Sequence, residues 1–151
     1  MLQKSNVLKD IRSAKRAHLT WVGRAELLAK GYPVTQDQVP MSHMECTFGA
    51  WYSQANVALS AHEVFKAIAA PHKALHDAYA DIFKVLFTEN SMSLFQRMIG
   101  KAAQQKEQNQ AVITEKLQEL EKASAAVVAQ LDAFEQLITG MSDAEVKTLF
   151  S

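Results

Sequence analysis

The stretch "ITEKLQELEKASAAVVAQLDAFEQLI", residues 113–138, decides the fold class, because its inward-facing positions recur at alternating steps of four and three. This heptad spacing is typical of α-helices that pack side by side at a shallow angle. The positions are Ile113, Leu117, Leu120, Ser124, Val127, Leu131, Phe134 and Ile138. The surrounding sequence stays compatible with a helix from a cap at Asn90, Ser91 or Ser93 to about 139, with Gly100 as the expected weak point. We therefore predict a long helix over 101–139.

The length of this predicted helix has a consequence for assembly. At about 1.5 Å per residue it extends roughly 58 Å, whereas a first helix of some 26 residues extends about 39 Å. Part of the long helix should therefore extend past the other helices or pack on another chain. We predict a homodimer on this ground.

The rest of the chain is also predicted to be helical. Its 151 residues include only five glycines and three prolines, and runs of β-branched residues are missing, which favours an all-α fold. We predict an antiparallel bundle of about four main helices with a long C-terminal helix and a short tail helix. Residues 1–90 should form one bundle of helices, and residues 91–151 should complete it.

The first predicted helix covers about 5–30 and carries a stripe of mostly apolar residues that includes one histidine. The stripe consists of Val7, Ile11, Ala14, His18, Trp21, Ala25 and Leu28. A second helix is expected over about 41–58, and one face of it is marked by Cys46, Gly49 or Ala50, Ser53 and Val57.

Two capping signals and a proline predict the remaining helices. Ser60 should cap a short helical turn, and Pro71 fits the first position of the next helix, where its missing N–H is harmless. That helix should bury His72, Leu75, His76, Tyr79, Ile82, Phe83 and Leu86. "SDAE", residues 142–145, is a capping box for the tail helix.

Charge and cysteine content exclude several classes of function. Sixteen basic and sixteen acidic residues cancel and are mixed along the chain, so no basic surface for nucleic acid is expected. The N-terminal sequence has no continuous apolar stretch, which argues against a signal peptide or a membrane span. One cysteine, Cys46, cannot form an internal disulfide. We therefore expect a cytoplasmic protein.

Four residues could bind a metal ion. His72 and His76 are four apart, so they lie one above the other on a helix. His18 and Cys46 lie on the inward stripes of two other predicted helices. Buried imidazoles and a thiol need polar partners, and a shared metal would supply one. Zinc suits three nitrogens and one thiolate best, in a closed tetrahedral site.

At these residues the sequence resembles the chemoreceptor zinc-binding (CZB) family, which is found on bacterial chemoreceptors and diguanylate cyclases. The resemblance is carried by "HLTW" (18–21), "CTFGAWY" (46–52) and "PHKALHDAY" (71–79) and covers roughly residues 5–90. It implies a helical bundle that binds Zn²⁺ through three histidines and one cysteine, here His18, Cys46, His72 and His76. It also implies zinc or oxidant sensing. No receptor signalling region and no cyclase domain accompany these motifs.

Other readings of single residues stay open. His43 lies three residues before Cys46 and would compete as a ligand if the second helix began early. His62 is expected to be solvated or to act as a cap. Alone, His18 would more often be a hydrogen-bonded core histidine, and Cys46 a small buried hydrophobe.

The predicted function is a zinc-binding sensory module that signals to a separate bacterial protein. Four protein ligands leave no open position for water, so the chain is not expected to be an enzyme. One alternative is a structural zinc bundle that presents the 101–139 helix to a partner. A histidine phosphotransfer bundle is less favoured, because the best-placed histidines are predicted to be buried.

Overall fold

The computed structural model describes residues 3–32, 39–43, 45–90 and 101–151, and over these ranges the regular structure is entirely helical. The all-α prediction is therefore confirmed. The helices are α1 (Lys4–Ala29), α2 (Thr47–Leu59), α3 (Glu63–Lys66), α4 (Ala69–Asn90), α5 (Lys101–Thr139) and α6 (Asp143–Leu149). The capping residues predicted at 91 and 93, and Gly100, lie outside the described residues.

The long helix α5 is the element on which the bundle is built. Its heptad positions are buried as predicted, except Leu117, which is half-buried. Helix α1 packs antiparallel to α5. The order of two ion pairs shows this direction, since Arg12 pairs with Glu135 and Lys15 pairs with Asp132, each at 2.6 Å. The stripe predicted for α1 is also confirmed, with Leu28 half-buried and the other members buried.

The chain from α3 through α4 also runs antiparallel to α5. Phe65 of α3 contacts Phe134 with ring centroids 5.6 Å apart, and Asp81 of α4 lies 3.5 Å from Lys116. The stripe predicted for α4 faces inward, with Phe83 and Leu86 half-buried and the other members buried. Because α5 contacts α1, α3 and α4, it joins the separate parts of the core.

The start and the buried face of α2 differ from the prediction. The helix begins at Thr47 rather than near 41, because Cys46 has an extended backbone and acts as its N-cap. Ser53 and Val57 are exposed, so this part of the predicted face was wrong, whereas Cys46 and Gly49 are buried as predicted. The buried residues of α2 are Phe48, Gly49 and Leu59. Aromatic packing explains the change, since Tyr52 stacks on Phe65 with ring centroids 4.4 Å apart.

The predicted caps around residue 60 are also corrected. Ser60 is the C-cap of α2 rather than the N-cap of the next turn. His62 is the N-cap of α3, although its side chain makes no capping hydrogen bond. Helix α4 begins at Ala69, two residues before Pro71. The proline therefore lies at the third position, where a helical N–H still needs no partner within the helix.

The tail helix forms as predicted and is hydrogen-bonded to α1. Ser142 and Glu145 make the reciprocal hydrogen bonds of a capping box. The backbone N–H of Lys4 donates to Asp143 at 3.0 Å, and Val146 is fully buried.

Among the described helices, none is long and apolar enough to cross a membrane. The proposed division at residue 90 stays a prediction.

Candidate metal centre

Three of the four predicted ligands converge on one point inside the bundle. One ligand atom each from Cys46, His72 and His76 lies within 4.8 Å of the others, and all three residues are buried. The Sγ atom of Cys46 lies 3.4 Å from Nε2 of His72. Bond lengths of about 2.0–2.3 Å in a tetrahedral zinc site separate neighbouring donors by roughly 3.3–3.7 Å. The Cys46–His72 distance fits such a site.

The start of α2 places the thiol. As the N-cap, Cys46 accepts a hydrogen bond at Sγ from the backbone N–H of Gly49, 3.1 Å away. Backbone N–H groups at a helix N-terminus favour negative charge and therefore favour the thiolate form of a cysteine. The cap thus orients the sulfur and supports the state that binds metal.

The two histidines of the site lie on successive turns near the start of α4. The ring centroids of His72 and His76 are 4.9 Å apart, and the rings are perpendicular. Nδ1 of His76 lies 2.9 Å from the carbonyl oxygen of Met41. Because a carbonyl can only accept, Nδ1 carries the proton and donates it, and the lone pair of the ring is on Nε2. Such a hydrogen bond is the usual outer support of a metal-binding histidine.

The segment before α2 is packed tightly against that helix. A Cβ atom at Gly49 would overlap the carbonyl oxygen of His43, so a glycine is needed for this close approach. Trp21 fixes the other end of the segment, because its indole Nε1 donates to the Pro40 carbonyl at 3.1 Å. These contacts position the carbonyl of Met41 for His76.

Aromatic side chains pack against the imidazoles. The ring of Trp21 lies 4.3 Å from that of His76, and the ring of Phe48 lies 4.7 Å from that of His72, measured between centroids. Burial lowers the pKa of His18 and His76 to about 4 each and the pKa of His72 to about 3. All three are therefore neutral at pH 7 and have a lone pair for a metal ion.

Burial also acts on the thiol, in the opposite direction. It raises the pKa of Cys46, and the hydrogen bond from the Gly49 N–H opposes that rise. Without a cation the thiol therefore keeps its proton, and its distance to the His43 carbonyl, 3.5 Å, allows a weak S–H···O hydrogen bond. A bound divalent cation would displace this proton and stabilise the thiolate. One thiolate and two neutral imidazoles form a donor set that zinc prefers.

His18 lines the same cavity as the three converging residues but is not part of their group. This cavity of about 380 Å³ is lined by His18, Cys46, His72 and His76, with Arg16 and Arg24 among the other lining residues. Nε2 of His18 lies 3.0 Å from Oγ of Ser124 on α5. The role of His18 as a fourth ligand therefore stays a prediction.

His43 also lies close to the site. Its ring centroid is 5.8 Å from that of His72 and 6.3 Å from that of His76. It does not belong to the group of converging ligand atoms. His43 thus borders the candidate site, and its competition as a ligand also stays untested.

Sequence reasoning did not identify the groups that support the ligands. Nothing in the sequence marks the Met41 carbonyl as a supporting group, because every residue carries a carbonyl. Gly49 and Ser124 are marked by their positions: a glycine follows the cysteine by three residues, and a serine occupies a heptad position among apolar residues. A polar residue in an apolar stripe indicates a buried polar partner.

The chemoreceptor zinc-binding domain family has a model that matches residues 18–83. The matched range begins at His18 and includes Cys46, His72 and His76. It ends within α4, so α5 and α6 lie outside it. No curated protein and no solved structure matches the chain.

Proposed function

We propose that the chain is a sensory module whose zinc site lies in the region that matches the chemoreceptor zinc-binding domain family, residues 18–83, and responds to zinc availability or to oxidation of Cys46. The observation that carries the proposal is the double role of the Cys46 sulfur. It belongs to the cluster of potential ligands, and it caps α2 by accepting the Gly49 N–H. A change at this atom therefore acts on metal binding and on the start of a helix together.

The chemistry of the cysteine supports an oxidant response. A thiolate attacks one oxygen of hydrogen peroxide, the O–O bond breaks, and hydroxide leaves and takes up a proton to form water. The sulfur is oxidised to sulfenic acid, and further oxidation to sulfinic acid is irreversible in most proteins. The oxidised sulfur is a weaker zinc ligand than the thiolate. The three imidazoles of the proposed site would then bind zinc with one strong donor fewer.

The full site in this proposal has four protein ligands, with His18 as the fourth. Zinc bound in this way would act as a structural cross-link between α1, the N-cap of α2 and α4. Four ligands leave no position for a reactive water. The proposal therefore assigns no catalysed reaction to the chain.

The output of the module would pass through α5. This helix packs against both α1 and α4, so a shift between those helices changes the surfaces that α5 contacts. We include in the proposal a homodimer formed through α5 and a separate bacterial signalling protein as the receiver. The difference in length between the two helices supports the dimer, since α5 has 39 residues and α1 has 26.

Peroxide treatment of the zinc-loaded protein tests the sensory role. We expect released zinc, measured with a colorimetric indicator, to rise in step with Cys46 oxidation, measured by mass spectrometry. The helical circular dichroism signal should persist. The matched control is Cys46→Asp, because aspartate is a good N-cap and offers an oxygen ligand but does not react with peroxide. Zinc bound to this variant should stay bound.

Two results would contradict the sensory role. Oxidation of Cys46 without zinc release would mean that the thiolate is not needed for zinc binding. Release that occurs only when the helical signal is lost would indicate the structural zinc bundle, in which the metal leaves with unfolding.

A further inference from the structure

A buried hydrogen bond joins the site to a helix outside the matched domain. Ser124 lies on α5, 41 residues beyond the end of the match at residue 83. Its side chain is 6% exposed and that of His18 is 2% exposed. The distance between Oγ of Ser124 and Nε2 of His18 is 3.0 Å. Ser124 also occupies a heptad position whose neighbours in the stripe are apolar.

We propose that Ser124 is a positioning residue of the zinc site, whose hydroxyl accepts the Nε2–H of His18 and so leaves the Nδ1 lone pair of that ring for the metal. This inference rests on the proposed function, in which His18 is the fourth ligand. It goes beyond it by assigning a role in metal binding to α5.

The direction of the hydrogen bond follows from the proposed binding of the metal by His18. A neutral imidazole has one N–H and one lone pair, so the nitrogen that donates is the one that cannot bind metal. The hydroxyl of a serine within a helix can donate to a carbonyl one turn earlier, and its lone pairs then remain free to accept. Both residues are buried, which reduces competition from water for the bond.

The His18–Ser124 contact differs from the other polar contacts between α1 and α5. The Arg12 side chain in the Arg12–Glu135 pair is 60% exposed, and exposed ion pairs contribute little to stability, about 0–1 kcal/mol. Lys15 and Asp132 are also partly exposed, at 31% and 45%. A buried hydrogen bond to a metal-binding ring instead depends on the state of the site. It would therefore transmit zinc occupancy to α5.

The test compares the zinc affinity of Ser124→Ala with that of the wild type, by competition with a chelating indicator. Loss of an outer hydrogen bond to a ligand typically weakens metal affinity by about 10–100-fold, and we expect a loss in this range. Ser124→Thr keeps the hydroxyl and should restore most of the affinity. The matched control is Thr139→Ala, because the Thr139 hydroxyl donates to the Glu135 carbonyl of its own helix at 2.7 Å. This control should bind zinc as the wild type does.

A spectroscopic readout tests the direction of the hydrogen bond between His18 and Ser124. Two-bond ¹H–¹⁵N correlation spectra of the wild type report which ring nitrogen of His18 carries the proton. We expect the proton on Nε2, a result that does not require Ser124→Ala to fold. A proton on Nδ1, or a folded Ser124→Ala variant with wild-type affinity, would overturn this inference alone. A wild-type protein that binds no zinc would overturn the proposed function and this inference with it.

Discussion

At the scale of single residues, the site depends on histidines that remain uncharged. Desolvation by burial lowers the pKa of His18, His72 and His76 well below the ordinary value of 6.5. The cause lies in the aromatic surroundings, where a charged imidazole would lose its hydration. Neutral rings suit metal binding, but they make the metal-free fold sensitive to acid.

The metal-free protein should lose stability as the pH falls. In the unfolded chain these histidines take up protons near pH 6.5, whereas in the folded protein they do so near pH 3–4. Between these values the unfolded state binds more protons, so the free energy of unfolding decreases as the pH falls through this window. Above about pH 6.5 their contribution is fully present.

Urea unfolding of the metal-free protein between about pH 7.5 and pH 5 measures this effect. The control is His72→Gln, which removes one of the titrating rings and should reduce the dependence of the unfolding midpoint on pH. A midpoint that stays constant or rises towards pH 5 would contradict the burial of neutral histidines.

The identities of the converging residues could be predicted from the sequence, but their supports could not. The four-residue spacing of His72 and His76 is a property of one helix and is therefore visible in the sequence. The hydrogen bond of His76 to Met41 depends on the path of the segment before α2. The bond between His18 and Ser124 joins residues 106 positions apart. Such contacts follow from tertiary packing, which periodicity does not encode.

At the scale of elements, the junction before α2 is the part on which the site depends most. The chain turns at Cys46 and brings the His43 carbonyl against the backbone at Gly49. The sequence analysis predicted that this helix begins at about 41, whereas it begins at Thr47. Cys46 has an extended backbone, so the helix does not continue through it towards residue 41. The thiol caps the helix at this point instead.

Gly49→Ala should therefore destabilise the protein and weaken zinc binding. The added methyl group overlaps the His43 carbonyl, and such overpacking typically costs about 1–3 kcal/mol. The matched control is Gly23→Ala in α1, because no atom beyond its chain neighbours and the nearby backbone of its own helix lies within 4 Å of a Cβ placed there. Alanine in the interior of a helix is favoured over glycine by about 0.5–1 kcal/mol.

Urea unfolding of both variants measures the difference. We expect Gly49→Ala to unfold at a lower urea concentration than the wild type and Gly23→Ala to unfold at a higher one. Equal stability of the two variants would mean that the segment before α2 is not packed as the structure has it.

At the scale of the whole molecule, one helix connects the domain matched at residues 18–83 with the rest of the chain. Helix α5 contacts α1, α3 and α4, and its fully buried residues include Leu120, Leu131 and Phe134. Its regular heptads made this helix predictable, because the pattern repeats over many turns. A metal ion bound between α1, α2 and α4 would therefore act on a core that α5 also shares.

The proposed function requires that Cys46, His72 and His76 together bind zinc. X-ray absorption at the zinc edge of the zinc-loaded protein tests this binding. We predict a first shell with one sulfur at about 2.3 Å and nitrogens at about 2.0–2.1 Å, and loss of the sulfur in Cys46→Ala. A first shell without sulfur in the wild type, or one left unchanged by Cys46→Ala, would contradict the claim.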